Sequence, residues 1–328
     1  MSRALRRWIR RLALGALGVM AAVAIAAPFI APYAATEQFA DRQFAPPTRI
    51  HIRDASGFRG PFIYRQVLED RLLRQYREDR STTIPLEFFR AGHLVSVPAG
   101  EGPLLLFGAD ALGHDIFSRV VRGARLSLGV TLAGVVGALL VGTLVGGLAG
   151  AIGGRLDEAV MLVADFVLVL PGAYLVLVLR SALPDVLSTG ETFVLIAAFF
   201  ALAAWPHVAR GVRAIVAAER TREYALAARA AGAGPWRLLG HFLPATRGFL
   251  GVEVVLLVPA LLVAEATVSY LGLGFVDPQP SWGTLLPEAA SVSALRESPW
   301  ILAPAAAIFL VALLLQIGVR PAPRPVEH

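Results

Sequence analysis

Long apolar stretches are the feature that most restricts what this chain can fold into. Each has about the twenty residues with which an α-helix crosses a bilayer. Lipid offers no hydrogen-bonding partner to the backbone, so apolar segments of this length predict membrane-spanning helices. Hydrophobic residues make up 56% of the 328 positions, which fits a chain that lies mostly in lipid. The six stretches are residues 12–35, 126–152, 159–183, 192–212, 249–273 and 300–319.

The sequence therefore predicts an all-α, polytopic integral membrane protein with six transmembrane helices. A run of arginines at residues 3–11 precedes the first stretch, and the positive-inside rule places it in the cytoplasm. Six spans return the C-terminus to the same side. An alternative is that residues 12–27 form a cleavable signal peptide. The segments expected are a cytoplasmic N-terminus with the first helix (1–35), an external loop or cap (36–125), a five-helix core (126–319) with a cytoplasmic loop (213–248), and a cytoplasmic tail (320–328).

The external segment, residues 36–125, is an insertion with no recognisable chemistry. It is rich in arginine, but loops longer than about 60 residues cross the membrane largely regardless of their charge. Mixed charges at residues 69–80, together with proline and glycine punctuation, predict a small cap with at least one short helix.

Composition excludes several functions. All 30 basic residues are arginine, so the chain has no lysine with which a P-loop holds nucleotide phosphates. The arginines are explained by membrane topology, and we expect no nucleic acid binding. The absence of cysteine removes disulfides and thiolate metal sites. No paired-histidine motif or nucleophile motif stands out, so we expect no metal site, no directly bound cofactor and no enzymatic activity.

The segment EYALAARAAGAGPWRLLGHFLP at residues 223–244 is unlike a membrane span. Its alanines give a helix surface almost without side chains, Gly232 is suited to the left-handed conformation that ends a helix, and Pro235 is suited to begin the next. Such a knob fits a groove on another protein. The alternative is an ordinary surface helical hairpin.

Glycines recur every four residues in the second predicted span. This spacing gives one helix face on which another backbone can approach closely, which is typical of helix association in membranes. The alternative is that glycine is simply frequent in membrane helices. The residues are Gly142, Gly146, Gly150 and Gly154.

Three carboxylates, Asp165, Glu253 and Glu265, lie inside apolar stretches. A charge at the bilayer centre costs about 2.5–3.5 kcal/mol on insertion scales, so each requires an explanation. Glu265 and Glu253 are candidates to line a translocation cavity. Alternatively the three groups are protonated or bind donors between helices, which we favour for Asp165.

Three strings give the chain a resemblance to a known family. They are FGADALGHDIFSRVVRGARLSL at residues 107–128, the alanine-rich segment at residues 223–244, and AEATVSYLGLGFVDPQPSWG at residues 264–283. With these strings the chain resembles the permease subunits of binding-protein-dependent ABC importers. Within them it is similar to the dipeptide or oligopeptide C-type subunit of the peptide and nickel branch.

The resemblance implies the type I ABC importer permease fold in a bacterial inner membrane. It implies three kinds of partner besides the lipid bilayer: a second homologous permease, two ATPase subunits that use ATP, and an external solute-binding protein. Peptides are the implied solutes, with nickel chelates as a second candidate. The loop expected to couple to the ATPases comprises Glu223, Tyr224, Ala227, Ala228, Ala231, Gly232, Ala233, Gly234 and Pro244.

The chain departs from the family pattern in three places. Leu226 stands where the family usually has glutamate, and the distance from Gly232 to Pro244 is one residue shorter than usual. The tail at 320–328 lacks the usual glycine- and aspartate-containing ending. Two other functions remain alternatives: an ion-coupled secondary transporter, or a membrane-embedded enzyme that uses the intramembrane carboxylates.

Overall fold

The computed structural model describes residues 3–54, 57–70, 74–90, 92–98, 100–170 and 187–319. The described chain is mostly helical. Part of the third predicted span, residues 171–183, and the predicted tail at 320–328 lie outside the described residues. The helices are α1 (Arg3–Ile25), α2 (Ala27–Ile30), α3 (Ile116–Ile152), α4 (Gly154–Val169), α5 (Thr189–Glu219), α6 (Glu223–Ala230), α7 (Pro235–Tyr270), α8 (Leu286–Ala289), α9 (Val292–Glu297), a 3-10 turn (Pro299–Leu302) and α10 (Ala303–Val319).

Within the described residues, five segments are helical, long and apolar enough to cross a membrane, and they coincide with five of the predicted spans. Two extend well past the apolar windows, because α3 begins ten residues before residue 126 and α7 begins at Pro235. At most 39% of the residues in any apolar window are buried within the chain. Lipid or partner helices must cover the remainder. The five are Arg7–Ile25, Ile116–Ile152, Thr189–Glu219, Trp236–Tyr270 and Pro299–Val319.

Between α2 and α3 the described residues form strands and no helix, so the expectation of a short helix there is wrong. A three-stranded antiparallel sheet has the order β1-β2-β3, and a hairpin pairs β4 with β5. A core of Ile63, Ile84, Leu86 and Leu104 lies beneath them. The strands are β1 (His51–Asp54), β2 (Gly57–Asp70), β3 (Gln75–Pro85), β4 (Glu87–Arg90) and β5 (His93–Ser96).

The mixed charges of this segment suit strands for a physical reason. Along residues 64–70 half-buried and exposed side chains alternate strictly, which is the period of a strand. Glu69 pairs across the sheet with Arg77 at 3.8 Å. The opposite charges therefore compensate each other between strands rather than along one helix face.

The chain divides into two compact units, one comprising Met1–Leu128 with Ala266–Leu314 and the other Gly129–Glu265 with Leu315–His328. In the first unit Tyr33 fastens the end of α2 to the start of α3. Its backbone N–H donates to Ser118 Oγ at 3.2 Å, and its carbonyl accepts from Arg122 Nε at 3.0 Å. Its hydroxyl accepts from the Leu104 N–H at 2.6 Å.

In the second unit α3 packs on α5 at backbone distance. A methyl group built at Gly142 would lie 2.8 Å from the carbonyl oxygen of Trp205, and one at Gly150 would lie 2.8 Å from that of Arg213. At Gly146 it would lie 2.7 Å from the Cα of Ala209. These glycines permit a separation that any side chain would prevent.

Gly154 does not belong to this face. Helix α3 ends at Ile152, and Gly154 begins α4 with a positive φ of 65° and open space around it. Gly134 and Gly137, which the four-residue period did not include, also face α5: methyl groups built there would lie 2.6 Å from Phe200 Cβ and 2.7 Å from Ala201 Cβ. The contact therefore extends along α3 from Gly134 to Gly150.

Helix α7 packs on both members of this pair. A methyl group at Gly147 of α3 would lie 2.7 Å from Leu239 Cδ1, and one at Gly211 of α5 would collide with the ring of Phe249. On the α4 side, Ala164 packs with Trp205 and Ala209. The close α3–α5 contact is thus the centre of the second unit.

Replacing Gly146 by alanine should therefore destabilise the protein although alanine is the better helix former. Overpacking costs about 1–3 kcal/mol, while Gly→Ala in an unobstructed helix gains about 0.5–1 kcal/mol. Gly251→Ala is the matched control, because nothing lies within 4 Å of a methyl group at that position of α7. The thermal midpoint of the purified protein in detergent should fall for Gly146→Ala and stay level or rise for Gly251→Ala. A rise for both would contradict the backbone contact.

Candidate functional site

Helix α6 and the turn that follows it form a complete helix-ending motif. The Ala233 N–H donates to the Ala228 carbonyl at 3.0 Å, and the Gly232 N–H donates to the Arg229 carbonyl at 2.9 Å. Gly232 has a φ of 82°, and α7 begins at Pro235. This is the Schellman pattern, which requires a left-handed residue and so favours glycine. The conformations predicted for Gly232 and Pro235 are those observed.

The residues proposed for coupling differ in their exposure. Ala227, Ala231 and Gly232 are exposed, whereas Ala228 is half-buried beside the buried Ala225. Glu223, Tyr224 and Gly234 are exposed, Ala233 is half-buried, and Pro244 is exposed inside the continuous helix α7. Two large apolar side chains, Leu226 and Trp236, add to the exposed surface. The small residues Ala227, Ala231 and Gly232 therefore lie at the surface among larger exposed side chains.

Two arginines connect the α6 region to the end of α3. Arg220 Nη1 donates to the carbonyl of Ile152 at 3.1 Å, and Arg229 Nη2 lies 3.5 Å from the carbonyl of Ala151. These carbonyls are among the last of α3 and have no partner within the helix. Cations at a helix C-terminus also interact favourably with its dipole.

Tyr224 connects α6 to α5 and α7. Its hydroxyl donates to Glu219 Oε2 at 2.6 Å, and its ring lies 6.2 Å from the ring of Phe242, edge to face. The hydrogen bond to Glu219 raises the pKa of Tyr224 above its usual value, so the phenol remains a donor. Glu219 also pairs with Arg222 at 3.0 Å. The turn is therefore attached to three helices.

Two ion pairs join α4 to α5. Arg213 Nε lies 2.9 Å and 3.0 Å from the two carboxylate oxygens of the buried Asp157. One turn earlier, Arg210 pairs with Asp165. Both arginines were predicted only to mark topology, and Asp157 was not predicted. For Arg210 and Asp165, which lie inside predicted spans, a usable signal was present, because charges within apolar segments are normally paired with one another. Asp157 and Arg213 lie just outside the stretches 159–183 and 192–212 and gave no such signal.

Glu253 and Glu265 do not come together. Both lie on α7, twelve residues apart, which corresponds to about 18 Å along a helix and to different faces. Glu265 is fully buried, with 0% of its surface exposed, and Glu253 is half-buried within electrostatic range of His207. Asp165 lies on α4 and is paired. The three carboxylates thus form no paired acid–base site.

In the first unit a network around Asp110 joins two of the three strings. Asp110 Oδ2 accepts from Arg119 Nη1 at 2.7 Å and lies 2.9 Å from His114 Nδ1. Arg119 also pairs with Asp277. Two hydrogen bonds from Trp282 add to the connection: its N–H to Ser127 Oγ and its indole to the Val120 carbonyl, both 2.9 Å. The segments 107–128 and 264–283 are therefore bonded to each other in the fold.

Several long apolar helices and a backbone contact between two of them define a multi-pass membrane protein. Residues 117–320, more than half of the chain, match the family described as "binding-protein-dependent transport system inner membrane component". The chain belongs to this family.

Curated relatives agree with that family. The chain is 38% identical over 195 residues to the oligopeptide transport system permease protein OppC of Bacillus subtilis, covering 59% of this chain and 61% of that one. It is 40% identical over 183 residues to the nickel transport system permease protein NikC of Escherichia coli K12, covering 56% and 64%. It is 34% identical over 232 residues to the glutathione transport system permease protein GsiD of Pectobacterium atrosepticum, covering 69% and 74%. The match to the first two spans less than two thirds of their length.

Two carboxyl groups within electrostatic range of Asp110, those of Asp115 and Glu288, should make the stability of the protein depend on pH. Burial raises the pKa of Asp115 to about 7 and that of Glu288 to about 7, against ordinary values near 4. A raised folded-state pKa contributes stability that is complete below the unfolded value and is lost as the pH rises through the folded value. The thermal midpoint of unfolding should therefore decrease as the pH is raised from about 5 to about 8.

Asp115→Asn should reduce this pH slope, because asparagine cannot ionise. It still accepts the N–H of Ser118 at the start of α3, as Asp115 does at 2.9 Å. Asp79→Asn is the control. A hydrogen bond from Ser81 lowers the pKa of Asp79, so that group stays ionised throughout the range. An unchanged slope in Asp115→Asn would contradict the assignment.

Proposed function

We propose that this chain is the permease subunit of an ATP-driven importer for peptides or similar small solutes, with nickel chelates as a second candidate. It would pair with a second homologous permease and bind two ATPase subunits on one side of the membrane. An external solute-binding protein would deliver the solute on the other side. Family membership and the names of the relatives support this proposal.

The exposed turn from α6 to Gly232 is the observation that carries the coupling role. Ala227 and Ala231 present almost no side chain there, and the Schellman bonds hold the turn in one conformation. A groove on an ATPase would accept such a knob without displacing side chains. Because little conformational freedom remains to be lost on docking, a rigid knob of this kind binds at low entropic cost.

Attachment of the turn to three helices explains how a push would reach the pore. Arg220 bonds to the end of α3, Tyr224 packs against Phe242 of α7, and both lie just beyond α5. Displacement of α6 by closing ATPases would therefore move α3, α5 and α7 together. Rocking of this group against the second permease would alternate access to the cavity.

Leu226 alters the chemistry of docking without removing it. It stands where the family usually has glutamate, and 53% of its surface is exposed. An exposed leucine offers an apolar contact and no carboxylate for a cationic partner. We infer that the cognate ATPase groove is apolar at this point.

The same proposal assigns sidedness and the cavity. The α6 turn and both termini would face the cytoplasm, the strand-rich segment would be external, and the domain limits would be those of the six-span topology. Glu265, and Glu253 with it, would face the translocation cavity. Their distance from each other on α7 favours separate contacts with a solute over a shared proton site.

Sidedness can be measured by single cysteines, since the chain has none of its own. Thr82 on β3 and Thr221 before α6 are both exposed. In intact cells an impermeant thiol reagent should label Thr82→Cys, while Thr221→Cys should react only after the membrane is opened. External labelling of Thr221→Cys would contradict cytoplasmic docking of the ATPases.

Docking itself can be tested with Ala227→Trp. The side chain is exposed, so the indole should not disturb folding, but it would fill the space that the partner groove requires. We expect ATPase co-purification and solute uptake to fall at least about tenfold, a loss of about 1.4 kcal/mol or more.

Ala218→Trp is the matched control for this substitution. Ala218 is an exposed alanine near the end of α5, outside α6, and the same change there should leave both readouts near the parent level. Membrane level and pairing with the second permease should be unaffected in both variants. Full retention of the ATPases by Ala227→Trp would overturn the coupling role of the turn.

A further inference from the structure

Strand β4 presents two adjacent phenylalanines to its surroundings just before the β4–β5 turn, a region that we call the hairpin tip. Phe88 is 50% exposed and Phe89 is 74% exposed. Phe89 also has a positive φ of 56°, which is unfavourable for a bulky residue. A soluble cap would gain nothing from exposed aromatic side chains on a strained backbone, so their surroundings require an explanation.

The hairpin tip lies beside the end of the first membrane helix. Helix α2 packs against β5, and the ring of Phe29 in α2 lies 6.1 Å from the ring of Phe89. Phe29 is only four residues beyond Ile25, where the apolar span ends. The exposed aromatic surface of the hairpin is therefore continuous with the lipid-facing surface of that span.

The depth of this contact can be placed from the length of the first helix. Trp8, at the other end of the span, is 64% exposed and lies 21 residues before Phe29. At about 1.5 Å per residue, 21 helical residues correspond to roughly 31 Å between the two backbone positions, close to the thickness of about 30 Å of a bilayer hydrocarbon core. Trp8 is of a residue type enriched at the boundaries of that core. With Trp8 at one boundary, this length brings Phe29, and Phe89 beside it, to the level of the other boundary.

Hydrogen bonds of Tyr33 fix the position of the hairpin relative to the end of the first span. Tyr33, just past α2, bonds to Ser118 and Arg122 in the first turns of α3, and to Leu104 near the core below the strands. The end of the first span, the start of α3 and the strand-rich segment are thus tied at one point. The position of the hairpin tip relative to the first span is therefore set by these bonds and not by a long flexible linker.

We propose that Phe88 and Phe89 insert into the membrane interface and anchor the strand-rich segment on the lipid surface. The two side chains would contact lipid at the boundary between headgroups and acyl chains, and they would not contact a protein. Buried apolar area supplies the affinity, and the neighbouring Arg90, exposed and paired with Glu87, stays at the polar level. The anchor would keep the strand-rich segment at a fixed depth on the lipid surface.

Spin labelling can test this in the complete protein, since a single introduced cysteine is unique. The label would be placed by Phe89→Cys, by Phe58→Cys and by Ser81→Cys, in vesicles of phosphatidylethanolamine and phosphatidylglycerol. Phe58 is the matched control: it is the same residue type, also 74% exposed, on β2. Ser81 is the aqueous reference on β3.

We expect the Phe89 label to collide with oxygen several-fold more, and with water-soluble chromium oxalate several-fold less, than either control. Collision rates equal to those of Ser81 or Phe58 would overturn the anchor. Protection from chromium oxalate that appears only when binding protein is added would show a protein-docking surface and would also overturn it.

A second variant distinguishes an anchor from an incidental contact. Phe88→Asp beside the Phe89 label introduces a charge into the proposed lipid contact, and the exposed position should leave the fold intact. The label should then become several-fold more accessible to chromium oxalate. An unchanged depth would mean that the first span alone sets the position of the tip, which contradicts the proposal.

Discussion

Direct backbone contact between α3 and α5 is the constraint on which the second unit depends. In lipid the apolar side chains gain no hydrophobic stabilisation from association, so helix pairs are held by close packing and polar contacts. Glycines from Gly134 to Gly150 provide the close packing, because α5 lies where side chains of α3 would otherwise be. Polar contacts between the helices add to this packing. Arg220 reaches the carbonyl of Ile152 because α5 lies against the end of α3, and Arg213 reaches Asp157 near the start of α4.

This arrangement bears on the coupling role proposed for the α6 turn, because exposure alone would not let the turn transmit force. A turn joined to the helices only by a flexible segment would move when a partner pressed on it, without moving the helices. Here two arginines bond to the C-terminal carbonyls of α3, and Tyr224 bridges Glu219 and Phe242. Such charge-assisted contacts at a helix end are short-ranged and directional. The turn therefore resists movement relative to the helices it joins.

The sequence predicted the membrane helices because their length and apolarity are set by the bilayer itself. It misplaced their ends, since the first turns of α3 at residues 116–125 carry arginines and fall outside an apolar window. It missed the strands at residues 57–85, where alternating burial was hidden among charges of both signs. It included Gly154 because spacing cannot show that Gly153 breaks the helix with a φ of 74°. The geometry of Gly232 was predictable, because glycine has few competitors in that conformation. The pairing of Asp157 with Arg213 depended on which helices are neighbours, and no local pattern specifies that.

Backbone-to-backbone packing also limits the kind of motion that this unit can make. Helices that interlock through bare glycine faces cannot slide gradually, because a shift by one residue would bring valine or leucine side chains of α3 against the carbonyls of α5. The α4 ion pairs add a second restriction, since moving Arg213 away would leave the buried carboxylate of Asp157 without its charge partner. Both contacts favour movement of α3, α4 and α5 as one body. In the proposed coupling, a force applied at α6 would therefore rotate this group as a whole and would not rearrange the helices within it.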